Sequence, residues 1–240
     1  MWWGARIGAA ALVCLWGSCA LAQSQEHWLV LGAAPSTQSS VAIDQVCPHQ
    51  SVSLTYLSDN DGQISGDPDV WCDLGAVLAQ KHGSLVSFTI ATKPDFRVEQ
   101  LGQQASPEAH LFQAALSRLP AGKVTGVLLL VDETSTHDVM LWSLIKNLRF
   151  GTLSVLGSAA WLLSEVPGCG PVTEGFDKML QTLTHKYPRS FYAGMRAQAE
   201  DQVCSTSPAE IQAKTWFSAI QGVEVRQQEY ERETLISLFK

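Results

Sequence analysis

The chain has 240 residues, of which 46% are hydrophobic and 16% charged, with a net charge of −7 at pH 7. That length suits one large domain or two small ones with a substantial core, and the composition argues against disorder, collagen and coiled coil. The lysines and arginines form no block, so the chain lacks the basic patch that a nucleic-acid partner requires.

The N-terminus reads as a secretory leader. Met1 to Arg6 holds one positive charge, Ile7 to Gly17 is apolar, and Ala20-Leu21-Ala22 supplies the small-x-small cleavage pattern. The apolar run is too short to span a bilayer comfortably. The expected organisation is a signal peptide over 1–22 and a single domain over 23–240, periplasmic or secreted. Cleavage removes Cys14 and Cys19 and leaves Cys47, Cys72, Cys169 and Cys204. An even set of cysteines in an exported chain predicts disulfides, with three pairings open. The spacings match no zinc motif, and no metal or other cofactor is expected.

Along the domain, Trp28–Gly32 (WLVLG) reads as a buried strand. Val52–Leu57 (VSLTYL) reads as a second, closed by the turn Asp59-Asn60-Asp61-Gly62. Val86–Ala91 is a third strand. Glu108–Leu119 carries a helical stripe of Leu111, Phe112, Ala115, Leu116 and Leu119. Val127–Val131 (VLLLV) is the most apolar strand, as a parallel sheet covered on both faces requires. Asp138–Leu148 is expected to be helical. Leu153–Leu156 then reads as a short strand that passes through Gly157-Ser158-Ala159-Ala160 into a helix. Thr173 can cap a helix running to Lys186. Ser207-Pro208-Ala209-Glu210 opens a last helix, expected to end near Gln221 with Gly222 as its stop. Strands alternating with helices predict an α/β fold, a three-layer sandwich with a mostly parallel, flavodoxin-like central sheet.

The segment Thr152 to Glu165 (TLSVLGSAAWLLSE) carries the sharpest functional hint. Small residues between a strand and a helix permit an elbow that exposes a side chain at the carboxyl end of a sheet, where ligands of open α/β sheets sit. From Val127 to Ile220 the chain resembles the amidase-like domain of the PfpI and class I glutamine amidotransferase superfamily, nearest to the variety at the N-terminus of some AraC-type regulators. The family's S-V-C-T-G-A-F-L-L-A motif corresponds to Leu153–Ser164. Its T-T-H-W segment corresponds to Val172–Gly175, and its helix ending in Y-P to the one ending Tyr187-Pro188. Trp28–Ala33 and Leu57–Gly62 match its first half more loosely.

The departures from that pattern decide what the resemblance implies. The family's nucleophilic cysteine falls at Gly157, which has no side chain, and its histidine falls at Glu174. Ser36–Ser40 offers no carboxylate where family enzymes carry an acid, and no DNA-binding helices follow the last domain helix. Thiolate chemistry is therefore excluded at the elbow. The expectation is an exported, non-catalytic domain that binds a small ligand or a protein partner, with Gly157, Ser158, Ala159 and Glu174 lining the pocket; a homodimer is compatible. Two alternatives stand beside it: a periplasmic hydrolase using Ser158, with His137 as its base, and a regulator-derived sensor that lacks its DNA reader. Trp71, Trp142, Trp161 and Trp216 read as core or rim aromatics, Glu165 as a solvated helix residue and His185 as a surface residue. In the resembled fold the segments of Cys169 and Cys204 approach the site end, so the resemblance favours Cys169–Cys204 together with Cys47–Cys72.

Overall fold

The structure, a computed structural model, describes residues 24–33, 47–57, 67–132, 146–147, 152–157, 159–166, 174–186, 189–194 and 209–238. The expected leader, the expected turn at 59–62, the segment around His137, Trp142, Ser158, Cys169, Cys204 and Ser207-Pro208 lie outside the described residues, as does the helix expected at 138–148 apart from helical Lys146 and Asn147.

Six described strands form one all-parallel sheet: β1 (Gln25–Ala33), β2 (Val52–Tyr56), β3 (Leu85–Lys93), β4 (Val124–Val131), β5 (Ala160–Glu165) and β6 (Ser190–Tyr192). Their order across the sheet is β2-β3-β1-β4-β5-β6. Helices α1 (Pro68–His82), α2 (Pro107–Arg118), α3 (Leu153–Leu156), α4 (Glu174–Lys186) and α5 (Ala209–Leu238) flank it, with one 3₁₀ segment, η1 (Val98–Gly102). The result is the expected α/β three-layer sandwich with a flavodoxin-like sheet. β1 and β4 sit centrally, and Leu29, Val30, Leu31, Val127, Leu128 and Leu129 are fully buried because helices cover both faces.

Alternation along β1 sorts the core into two layers. Leu29 and Leu31 face one side with α2 and α4, through Phe112, Leu116, Leu180 and Leu183. Trp28 and Val30 face the other with α1 and α5, through Trp71, Leu74, Leu78, Trp216 and Ile220. Cys47 and Cys72 are disulfide-bonded at a Cα–Cα distance of 5.6 Å, tying the approach to β2 onto α1. Trp71, Trp161 and Trp216 are core residues, as expected, and His185 is exposed.

Three expectations are corrected. Leu153–Leu156 is helical, and the strand is Ala160–Glu165, the piece expected to be a helix. All six β5 residues are buried because it runs between β4 and β6, so Glu165 is a buried strand residue and not a solvated helix residue. Gly222 does not stop α5, which continues to Leu238. Its missing side chain makes room for Phe191 of β6, whose ring would lie 2.5 Å from a Cβ there. Helix α1, absent from the sequence reading, starts at the Asp67 cap with Pro68 in its first turn and ends at Gly83 in the left-handed conformation (φ 64°).

Candidate functional site

In a parallel sheet all carboxyl ends share one edge. The chain leaves β1 toward β2 and leaves β4 toward β5, in opposite directions, so the crevice between β1 and β4 is the topological switch point. Gly32, near the end of β1, brings the two strands together: its φ is +127°, and a Cβ would overlap the Leu130 carbonyl oxygen.

Polar residues gather where the apolar strands end. β3 finishes in Thr92-Lys93, Asp132 follows β4, and β5 finishes in Ser164-Glu165. Registers place Lys93 beside Ala33 and Glu165 beside Val131. Glu165 is 1% exposed, and Ser164 donates to the Glu165 carbonyl oxygen at 2.9 Å. Thr92, Asp132 and Glu165 are each engaged by neighbouring groups. Lys93 Nζ lies 3.1 Å from Oε1 of Glu108, which is 3% exposed in the first turn of α2. That turn is held by Ser106, whose hydroxyl accepts from the Ala109 amide at 3.0 Å and donates to the Gln100 carbonyl at 2.6 Å. Nearby at the end of β2, burial, then the charges of Asp67 and Asp69, push the Tyr56 hydroxyl well above its ordinary range.

Of the residues expected to form one pocket, Gly157 and Ala159 stand apart from Glu174, and Ser158 lies outside the described residues. Gly157 (φ 54°) ends α3 at the amino edge of the sheet and packs against Gly122, whose amide donates to the Val155 carbonyl at 2.7 Å. Ala159 enters β5 at that edge. Glu174 instead opens α4, which returns from the end of β5 to the start of β6 and so begins toward the carboxyl edge. With a helix-to-strand order in place of strand-to-helix, the elbow is not formed. Lys93 and Glu108 were not read as site residues. Glu108 was visible as an acid in a capped first turn, but its burial against Lys93 is a tertiary fact without a local signal.

The amino edge holds a second polar group. The Ser84 hydroxyl donates to Glu26 at 2.7 Å, His82 Nδ1 lies 2.6 Å from the same carboxylate, and His82 Nε2 lies 3.1 Å from Glu224 of α5. Trp28 Nε1 donates to the other Glu26 oxygen at 3.2 Å. These contacts clasp β1, α1 and α5 together. An open groove of about 380 Å³ beside them is lined by residues including His49, Ser51, Gln80 and Ser84. On the opposite face of β1, the Ser87 hydroxyl lies 2.6 Å from His27 Nδ1. Burial, and secondarily the Lys123 charge, hold His27 below the ordinary imidazole range. Among the described residues no group of three or more His, Cys, Asp or Glu has an arrangement that could hold a metal ion.

Neither a protein-family model nor a curated protein matches the chain. Solved structures share its fold. A protein from Arabidopsis thaliana superposes with a TM-score of 0.55 at 14% identity, over 82% of this chain and 98% of its own. A protein from Parabacteroides merdae named as a GDSL-like lipase superposes with a TM-score of 0.50 at 13% identity, over 84% and 97%.

Proposed function

We propose that the chain is an exported α/β domain that binds a small molecule in the crevice at the carboxyl ends of β1 and β4, without covalent chemistry. The observation that carries this reading is the buried charge at that edge. Strands that are apolar along their interiors end in Lys93 and Glu165, half-buried Asp132 follows β4, and Glu108, buried, lies beside Lys93. Burying charged side chains is costly in a fold held by apolar packing, and such groups gather at binding sites. The Cys47–Cys72 bridge supports export, since such bonds persist in oxidising compartments.

A second reading, an exported hydrolase, draws on the fold shared with the protein named as a GDSL-like lipase. Fold alone does not carry chemistry, so an assay decides. Full-length protein expressed with its leader and purified from the envelope is examined by native mass spectrometry. The expected result is a small-molecule adduct that Asp132→Arg removes and Ser84→Ala, at the amino edge, retains. An adduct indifferent to Asp132→Arg moves the site elsewhere. Turnover of amide, ester or aldehyde substrates well above background replaces the binding reading with the hydrolase.

A further inference from the structure

The outer half of helix α5 carries a line of four exposed side chains in a symmetric order. Val225, Glu229, Arg232 and Ile236 follow one another at spacings of four, three and four residues, which aligns them along one side of the helix. All four are exposed, Val225 at 53% and Ile236 at 48%. The line points away from the body of the protein. Val223, where the buried stripe of α5 ends, precedes Val225 by two positions, a turn of about 200° around the helix. Among the described residues neither Glu229 nor Arg232 has an ion-pair partner, whereas Lys81, His82 and Lys214 each have one.

We propose that this line is the surface on which a second copy of the chain docks, α5 against α5, antiparallel about a two-fold axis. Read along the helix, the four residues run apolar, acidic, basic, apolar, so the line is complementary to its own reverse. An axis passing between Tyr230 and Glu231 sets Val225 opposite the partner's Ile236 and Glu229 opposite the partner's Arg232. Symmetry makes each pairing twice. The flank agrees, because Arg226 then meets the partner's Glu233 along one side of the seam. A parallel pair would instead set Glu229 against the partner's Glu229 and Arg232 against the partner's Arg232. Charge complementarity therefore selects both the partner and its direction. The seam from Val225 to Ile236 covers about 18 Å of helix at the helical rise. That is smaller than a standard stable interface, so the dimer is weak, with a dissociation constant on the order of 100 µM. The docking surface is independent of the crevice at the carboxyl ends of β1 and β4.

The test is sedimentation equilibrium of protein expressed from the full chain, at concentrations from about 5 µM to about 500 µM, bracketing the expected constant. The expected result is a monomer–dimer equilibrium. Glu229→Arg sets arginine against arginine across the seam and weakens the dimer about tenfold or more. Arg232→Glu sets carboxylate against carboxylate and does the same. An equimolar mixture of the two variants recovers dimers to within about threefold of the wild type, since every charge again faces its opposite. Lys178→Glu, an equal charge change on the exposed side of α4, leaves the equilibrium unchanged. Ending the chain after Gln228 removes Glu229, Arg232 and Ile236 and leaves a monomer throughout. A wild type that stays monomeric at every concentration overturns the proposal. A dimer that survives the deletion or both charge reversals, or a variant mixture that stays monomeric, overturns it as well.

Discussion

Glycine positions show how little of a residue's role its own neighbourhood announces. Gly32 holds a φ that only glycine adopts readily, and a Cβ there would collide with the backbone of β4. Gly32→Ala is therefore expected to destabilise the protein by about 3 kcal/mol or more in urea denaturation. Gly175, within α4, has open space around its Cβ direction, so Gly175→Ala is expected to stabilise by about 0.5 kcal/mol. A smaller cost at Gly32 than at an ordinary surface glycine would show that β1 and β4 do not approach as described. His27 adds a pH dependence. Its folded imidazole titrates below the ordinary value of 6.5, so under acid the unfolded chain binds a proton that the folded chain resists. Its contribution is complete above that value and is lost as pH falls toward the lower folded pKa. Between pH 7 and pH 5 the wild type is expected to lose more stability than His27→Gln; parallel profiles would remove the effect from His27. The buried Lys93–Glu108 pair, by contrast, was out of reach of the sequence. Nothing local to either residue says that a β-strand end and a helix start meet.

The secondary-structure elements divide by how their apolar residues repeat. Continuous apolar runs at β1 and β4, alternation in β2 and helical stripes in α2 and α4 each match one geometry, and each was legible. Residues 153–165 defeat that reasoning. A six-residue run buried on both faces has no period to read, so a buried strand and a buried helix look alike. The small residues at 157–160 fit a strand-to-helix turn as well as the helix-then-strand order of α3 and β5. Helix α1 was legible yet missed: Asp67-Pro68 is the same kind of start signal as Ser207-Pro208, with Gly83 as its stop. Its interior Gly75 weakens the pattern for a tertiary reason, since a Cβ there would meet Val52 at 2.6 Å. The Cys47–Cys72 bridge staples this helix to β2 and closes a loop of sequence separation 25. By loop-closure entropy it contributes about 3.5 kcal/mol. The double variant Cys47→Ala, Cys72→Ala is expected to lose stability of that order in a denaturant titration. A loss under about 1 kcal/mol would leave the bridge without a stabilising role.

The path of the whole chain contains an irregularity that no single element reveals. β2–α1–β3, β3–α2–β4 and β5–α4–β6 all step the same way across the sheet, yet α1 lies on one face and α2 and α4 on the other. The first unit therefore has the opposite hand to the other two. Parallel crossovers are almost invariably right-handed, which marks β2–α1–β3 as the exceptional, left-handed unit. Placing α1 there gives α5 a helix to pack against on that face, through Trp71 and Trp216 with ring centroids 6.5 Å apart and through Glu224 to His82 and Lys81. α5 spans 30 residues, about 45 Å at the helical rise, and outruns the body it packs on. Its buried stripe ends at Val223. Past that point Arg226 lies over the Phe191 ring at 4.6 Å and Arg189 donates to Gln227 at 2.8 Å. Beyond Gln228 every described side chain is exposed, Tyr230 and Ile236 among them. This stretch is helical because it extends an already nucleated helix, and propagation avoids the cost that makes short isolated helices marginal. Ending the chain after Gln228 is accordingly expected to change unfolding free energy by no more than about 0.5 kcal/mol, while far-ultraviolet circular dichroism loses the signal of the removed turns. Ending it after Ile220 removes Val223, Glu224 and the contacts to Phe191 and Arg189, and is expected to cost about 3 kcal/mol or more. If the shorter deletion proves as costly as the longer one, the outer half of α5 is held by contacts of its own, and simple extension of the docked helix does not account for it.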